Sequence, residues 1–198
     1  MSGAFATGGW NAARLAARLS EPGRIAALPP QGRVPGNERP AAVLVPILLH
    51  PAPTVLLTLR APTLSAHAGQ VSFPGGRIEP GETPEDAALR EAEEEVGLNP
   101  GAARLVGRLP DHLTGTGYRI TPVMALLPPP GPLRPDPSEV AEAFEYGLAN
   151  LLAPGLPEQR EGVWRGRPGL SWVWPHERHM IWGATAAILR HVALLLRD

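Results

Sequence analysis

The chain has 198 residues, 43% hydrophobic and 19% charged, an ordinary globular composition long enough for one domain with a full core. Eighteen basic residues stand against nineteen acidic ones for a net charge of -1, so no basic excess exists to neutralise a nucleic-acid backbone, and nucleic acid is not expected as a partner. There are no cysteines, which excludes disulfide frameworks, thiolate metal sites and a cysteine nucleophile, and no apolar run reaches the roughly 18 residues of a membrane-spanning helix.

The first residues lack the charged-then-apolar order of a secretory signal, and the expectation is a cytoplasmic protein with no membrane partner. Asn11 to Leu19 reads as a short amphipathic helix, with leucines at 15 and 19. Pro22 to Pro40 is rich in Pro and Gly and reads as loop. Residues 1–40 are thus expected as a helix-and-loop extension of a single domain spanning 1–198. Ala41 to Leu49 and Thr54 to Leu59 are apolar runs of strand length joined by a His-Pro-Ala-Pro turn, the pattern of a hairpin. Pro46 inside the first run predicts an edge strand or a bulge. A loop follows from Arg60 to Ser72. A helix is predicted over Pro84 to Val96, and further strands over Ala103 to Arg108 and Arg119 to Leu127. Pro128 to Pro137 is a connector, Ser138 to Phe144 reads as opening a short helix, and Trp182 to Leu196 reads as a final helix with Ile188, Val192 and Leu195 on one stripe. The expected fold class is α/β in the α+β sense, one mixed sheet sandwiched between helices.

The chemistry concentrates between Gly75 and Leu98. Residues 79 to 95 hold eight of the nineteen acids. Thr83 is placed to N-cap the helix with Asp86 in a capping-box spacing, Pro84 suits its first turn and Gly97 ends it. At 3.6 residues per turn, Glu91, Glu94 and Glu95 share one face beside an apolar stripe of Ala88, Leu89, Ala92 and Val96, while Glu93 points away. Like charges at this spacing cost about 0.2–0.5 kcal/mol per pair. One reading is a solvated charged face. The other is a site for a hard divalent cation, which takes carboxylate oxygens and substrate phosphates as ligands.

The flanking residues decide between them. Gly76, five residues, Glu82, seven residues, then Arg90-Glu91-Ala92-Glu93-Glu94-Glu95-Val96-Gly97-Leu98 resembles the Nudix box with each fixed position filled. Upstream, Leu56 to Ala61 and Gly69 to Gly76 resemble the signature of the coenzyme A pyrophosphatase branch of the Nudix hydrolases. So do Tyr118 to Val123, Glu139 to Glu145 and Ile181 to Thr185 downstream. Ser65 is a departure, because the branch signature carries Arg there.

This resemblance implies a Nudix fold and hydrolysis of a phosphoanhydride with Mg2+ or Mn2+. It implies coenzyme A, or its acyl or oxidised forms, as substrate, and for coenzyme A the products 3',5'-ADP and 4'-phosphopantetheine. It implies Glu91 and Glu95 as metal ligands, Glu94 as a third ligand or a water-binding carboxylate, and the Gly75 carbonyl as a backbone ligand. Glu82 and Arg90 match a supporting pair in which Arg90 grips a carboxylate. The proton acceptor is left among Glu94, Glu139 and Glu142. Arg60 is either a phosphate contact or a structural strand-end arginine, and His67 either a substrate contact or a loop hydrogen bond. His176 and His179 are read as structural, and the tryptophans at 164, 172, 174 and 182 as core or interface residues. The partner is a small molecule, and a homodimer is compatible with the family. Two other functions stay open: a Nudix hydrolase for a different nucleoside diphosphate derivative such as ADP-ribose or a dinucleotide, which Ser65 favours, and a non-catalytic Nudix-fold module, which would be expected to have lost box carboxylates.

Overall fold

The structure, a computed structural model, describes residues 9–30, 36, 38–64, 66–164 and 167–197. Ser65 and the side chain of Trp164 lie outside the described residues. Helix α1 (Ala12–Leu19) forms where the leucine spacing predicts it, and the Asn11 side chain accepts from the Arg14 N–H at 2.9 Å as its N-cap. The stretch expected as loop contains one further short helix, α2 (Pro22–Ala26), because Pro22 brings a helical φ to the first turn.

Strands β1 (Arg39–Leu48) and β2 (Thr54–Arg60) form the expected antiparallel pair, with Ile47 opposite Val55 and Leu48 opposite Thr54. Two short strands follow, β3 (Val71–Ser72) and β4 (Gly75–Arg77), then α3 (Pro84–Val96) over the predicted residues. A 3-10 turn (Pro100–Ala102) leads to β5 (Arg104–Arg108), β6 (His112–Leu113) and β7 (Tyr118–Leu127). Next come β8 (Val140–Gly147), α4 (Leu148–Leu151), β9 (Glu158–Trp164), β10 (Arg167–Trp174), β11 (Ile181–Trp182) and α5 (Gly183–Leu196). The main sheet is mixed: β1 runs parallel to β7 along its whole length and antiparallel to β2 and β4. A second sheet of β9, β10 and β11 stands apart from it.

Two expectations are corrected. Ser138 to Phe144 does not open a helix; the segment enters β8, antiparallel to β2 from Thr54↔Gly147 to Arg60↔Val140. The long-range partner β2 supplies backbone hydrogen bonds that local spacing cannot reveal. Nor is Pro46 on an edge strand. It faces the side of β1 where pairing with β4 ends at Val43 and pairing with β2 begins at Ile47, so its missing N–H falls in a gap between two partners.

The sheet separates two apolar clusters, which is the predicted sandwich. Leu44, Leu48, Leu56, Val123 and Leu127 meet Ala87, Ala88, Ala92 and Val96 of α3 on one face. On the other, Val45, Ile47, Leu57 and Met124 meet Leu15 and Leu19 of α1, Trp174, and Ile188, Val192 and Leu195 of α5. Each fully buried Leu, Ile or Val contributes about 1.5–3 kcal/mol. Trp174 is fully buried with its indole N–H donated to Ala186 O at 3.0 Å, and Trp172 is half-buried beneath the Arg190 guanidinium. No helix among the described residues is long and apolar enough to cross a membrane.

Helix α3 is locked at both ends. Thr83 Oγ1 accepts from the Asp86 N–H at 3.2 Å while Asp86 Oδ2 accepts from the Thr83 N–H at 3.3 Å. Such a cap stabilises a helix by about 1 kcal/mol. At the other end Gly97 adopts φ +71°, and the Leu98 N–H reaches back to Ala92 O at 3.2 Å as its side chain enters the α3 cluster. These caps fix the ends of α3, and the Ala88, Ala92 and Val96 stripe packed on the sheet sets the rotation of its glutamate face.

Candidate active site

The site begins with two glycines. β4 lies on β1 with Gly76 opposite Ala42 and Gly75 opposite Val43. Gly75 has φ +154°, and a Cβ there would stand 2.4 Å from Ala42 O. A Cβ on Gly76 would stand 2.4 Å from Glu91 Oε1. Only glycine lets the backbone press this closely against the α3 carboxylates.

Glu95 is the deepest of these carboxylates, its side chain 4% exposed. Oε2 accepts from the Gly75 N–H at 3.2 Å, and Oε1 lies 3.9 Å from Arg60 Nη1. Burial pushes the Glu95 carboxyl up to about 8; the Gly75 N–H and the Arg60 charge pull the other way, and the charges of Glu91 and Glu139 add to the rise. Glu91 is also raised by burial, against the pull of Arg90. Arg60 keeps its Nε buried with no hydrogen-bond partner among the described residues.

Arg90 gathers the remaining carboxylates. It donates to both oxygens of Glu82 at 2.8 and 3.2 Å, and from Nη1 to Glu91 at 3.0 Å and Glu94 at 2.9 Å. Nη2 also donates to Arg77 O at 3.2 Å, which fastens β4 to α3. Arg90 holds Glu82 below the usual carboxylate range. The shared face predicted for Glu91, Glu94 and Glu95 is real, but the three carboxylates do not meet. Glu95 turns into the sheet, Glu94 is 61% exposed and drawn to Arg90, and Glu91 lies between them. Among the described residues no three His, Cys, Asp or Glu side chains are close enough to hold an ion. Arg90 supplies the positive charge that relieves their repulsion.

The Pro-rich connector brings in a fifth carboxylate, Glu139. Asp136 N–H donates to Glu95 O at 2.9 Å, at the end of α3. Its carboxylate accepts from Ser138 N–H at 2.8 Å and its own carbonyl accepts from Glu139 N–H at 3.0 Å, forming an Asx turn. Glu139 thereby stands where its charge acts on both Glu91 and Glu95. Between β2 and β8 the register slips, pairing Leu59 with Glu142 and Arg60 with Val140, so Ala141 is a bulge. The bulge reverses the facing of the strand: Val140 joins the α3 cluster, whereas Phe144 and Tyr146 join the other. Glu142 goes with Phe144, bonded to Arg178 and to His179 Nε2 at 3.1 Å. The His176 and His179 rings stack 5.2 Å apart against Phe144. His67 is an exposed loop residue at φ +58° whose Nδ1 bonds Gln70 Oε1 at 2.8 Å.

Sequence reading missed the Asp136 turn, although Asp-Pro-Ser is an Asx-turn signal, and it gave no role to Arg39 and Arg77. The donor set of Glu91, Glu95 and the neighbouring backbone carbonyls is all oxygen, and Glu95 is a buried carboxyl whose cationic neighbour Arg60 stands off at 3.9 Å. Both features suit a hard divalent cation.

The NUDIX domain model matches residues 38–164. The chain is 43% identical over 173 residues to the uncharacterized Nudix hydrolase NudL of Shigella flexneri serotype 5b, covering 86% of this chain and 90% of that protein. It is 43% identical over 159 residues to the protein of the same name from Escherichia coli strain K12, covering 80% of this chain and 83% of that one. A MutT/nudix family protein from Enterococcus faecalis superposes with a TM-score of 0.50 at 17% identity, covering 82% of this chain and 63% of that one, a likeness of fold alone.

Proposed function

The chain belongs to the Nudix family as a Nudix hydrolase, and on that premise we propose that it cleaves the diphosphate bond of coenzyme A, with Mg2+ or Mn2+, to 3',5'-ADP and 4'-phosphopantetheine. The observation that carries the hydrolytic reading is Glu95, a buried carboxylate of α3 facing Arg60 across the Gly75 backbone. The choice of coenzyme A rests on the resemblance of residues 56–61 and 69–76 to that branch.

Glu91 and Glu95 would hold the ion, with Glu94 or the Gly75 carbonyl completing the set. A divalent ion held there would supply charge neutralisation for the diphosphate and a lowered pKa for the attacking water. Arg90 keeps Glu82, Glu91 and Glu94 in place. The partly exposed Arg60 guanidinium, beside Glu95, is placed to give a phosphate oxygen a charge-assisted hydrogen bond. A Glu139 carboxylate oxygen takes the proton of the attacking water; Glu94 is the alternative acceptor, already committed to Arg90.

Metal binding must displace the Glu95 proton, because the neutral carboxyl is favoured below about 8 and only the carboxylate is a ligand. Affinity for Mn2+ therefore rises with pH, by up to about tenfold per unit, and levels off above the Glu95 pKa. Calorimetric titration in two buffers of different ionisation heat measures the proton release. An affinity that ignores pH from about 6 to about 8 removes Glu95 from the ligand set.

A second reading, hydrolysis of ADP-ribose or a dinucleotide, is favoured by Ser65. Incubation with Mg2+ and coenzyme A, ADP-ribose and NADH separately, with products identified, decides between them. Release of 3',5'-ADP is the expected result; AMP from ADP-ribose alone would replace the coenzyme A reading with the second. In Ser65→Arg, kcat/KM for coenzyme A rises, and no change would show that position 65 does not touch the substrate.

A further inference from the structure

We propose that Arg39, Arg77 and Tyr118 form a second anion subsite, which takes a phosphomonoester that the substrate carries in addition to its diphosphate. The proposal rests on the coenzyme A reading and deepens it, since that molecule differs from its 3'-dephospho form by one such group.

Strand pairing brings the three residues together. Arg39 lies opposite Tyr118 in the β1–β7 ladder, and Ala41 lies opposite Arg77 in the β1–β4 ladder. Directly paired residues project to the same face, and so do residues two apart on one strand. Arg39, Arg77 and Tyr118 therefore share a face. Gly76, opposite Ala42, lies on the other face, against Glu91. The group is one residue along β4 from the glutamates and on the far side of the strand. It is held there because Arg77 O accepts from Arg90 Nη2 at 3.2 Å.

The charge of this group is not balanced. The Arg39 guanidinium sits 4.1 Å from the centroid of the Tyr118 ring, and Arg77 Nη2 donates to the Tyr118 hydroxyl at 3.4 Å. Neither arginine has a carboxylate within ion-pair distance among the described residues. Arg60, Arg90, Arg108 and Arg119 each have one. Two cations collected by one tyrosine repel each other and draw in an anion. Their forked N–H groups match the oxygens of a phosphate, and a dianionic phosphomonoester meets two forks best. A nucleobase fits less well, since Arg39 already covers the ring. The diphosphate is engaged on the opposite face of β4, which leaves this group for the phosphate beyond it.

The test compares kcat/KM for coenzyme A and for 3'-dephospho-coenzyme A, with Mg2+, in the wild type, R39A, R77A and the double variant. The wild type prefers coenzyme A by about 10- to 100-fold, the worth of one or two charge-assisted hydrogen bonds. Each single variant lowers that ratio and the double variant brings it close to one. The change appears in KM more than in kcat, because no reacting atom is touched. R77K, which keeps the charge without the fork, retains part of the preference and guards against a misfolded alanine variant. A ratio that is equal in the wild type and all variants, with coenzyme A still hydrolysed, overturns the subsite and leaves the coenzyme A reading standing. A wild type that hydrolyses neither compound, but does hydrolyse ADP-ribose, overturns both.

Discussion

Glu95→Gln lowers kcat by about three orders of magnitude, and Glu91→Gln by a similar factor, because under the proposed ligand set each removes a ligand of an ion whose charge stabilisation is worth several kcal/mol at about 1.4 kcal/mol per decade. The folded protein is not harmed. A glutamine at 95 keeps an acceptor for the Gly75 N–H at 3.2 Å, and it is neutral, the state that burial already favours there. Burial holds the folded carboxyl above its ordinary value. Ionisation thus costs the metal-free fold stability as pH rises from the unfolded value towards about 8, and Glu95→Gln lacks that loss. The metal-free variant accordingly melts no lower than the wild type near neutral pH, yet no longer gains stability from added Mg2+. Steady-state rates and melting curves with and without the ion check both halves. Wild-type rates in either variant would end the metal-ligand assignment.

Glu139→Gln lowers kcat by about 10²- to 10⁴-fold, the usual worth of a general base, with little change in KM. Glu142→Gln, three residues further on, stays within about twofold of the wild type, since that side chain is tied to Arg178 and His179 on the α5 side of the sheet. The contrast tests the separation of these two glutamates: Glu139 stands in the turn before β8, where its charge acts on Glu91 and Glu95, whereas Glu142 lies beyond the bulge at Ala141 on the strand face of Phe144. Steady-state rates for the two variants, each with saturating Mg2+, are the measurement. The reverse ranking would mean that Glu139 does not take the proton of the reacting water.

Much of this was legible from residue order alone. Thr83, Pro84, Asp86 and Gly97 predict α3 from end to end, because caps and turns are satisfied within a few residues of their own position. The grip of Arg90 on Glu82 is likewise a matter of one loop and two helical turns. β8 was not legible. Val140 and Phe144, four apart, suit a helix as well as a strand, and the choice is made by β2, some eighty residues earlier in the chain. The β9–β10 hairpin is not read from residue order for a similar reason: β9 is mostly polar, and β10 is completed by β11 and by α5, whose residues pack with Trp174. Pro46 misled because a proline rule for edges takes no account of a strand whose two partners leave a gap.

Helix α3, its caps, the spacing of Glu91, Glu94 and Glu95 and the paired glycines follow from residue order, because all depend on backbone geometry within about two turns. Which of those glutamates is buried, that Arg60 faces Glu95, and that Glu139 rather than Glu142 acts on them follow from long-range contacts. Desolvation and charge coupling depend on how much protein and how little water surrounds a group, and that surrounding is assembled from β1, β2, β4 and the 133–139 connector, segments that meet only when the chain has folded.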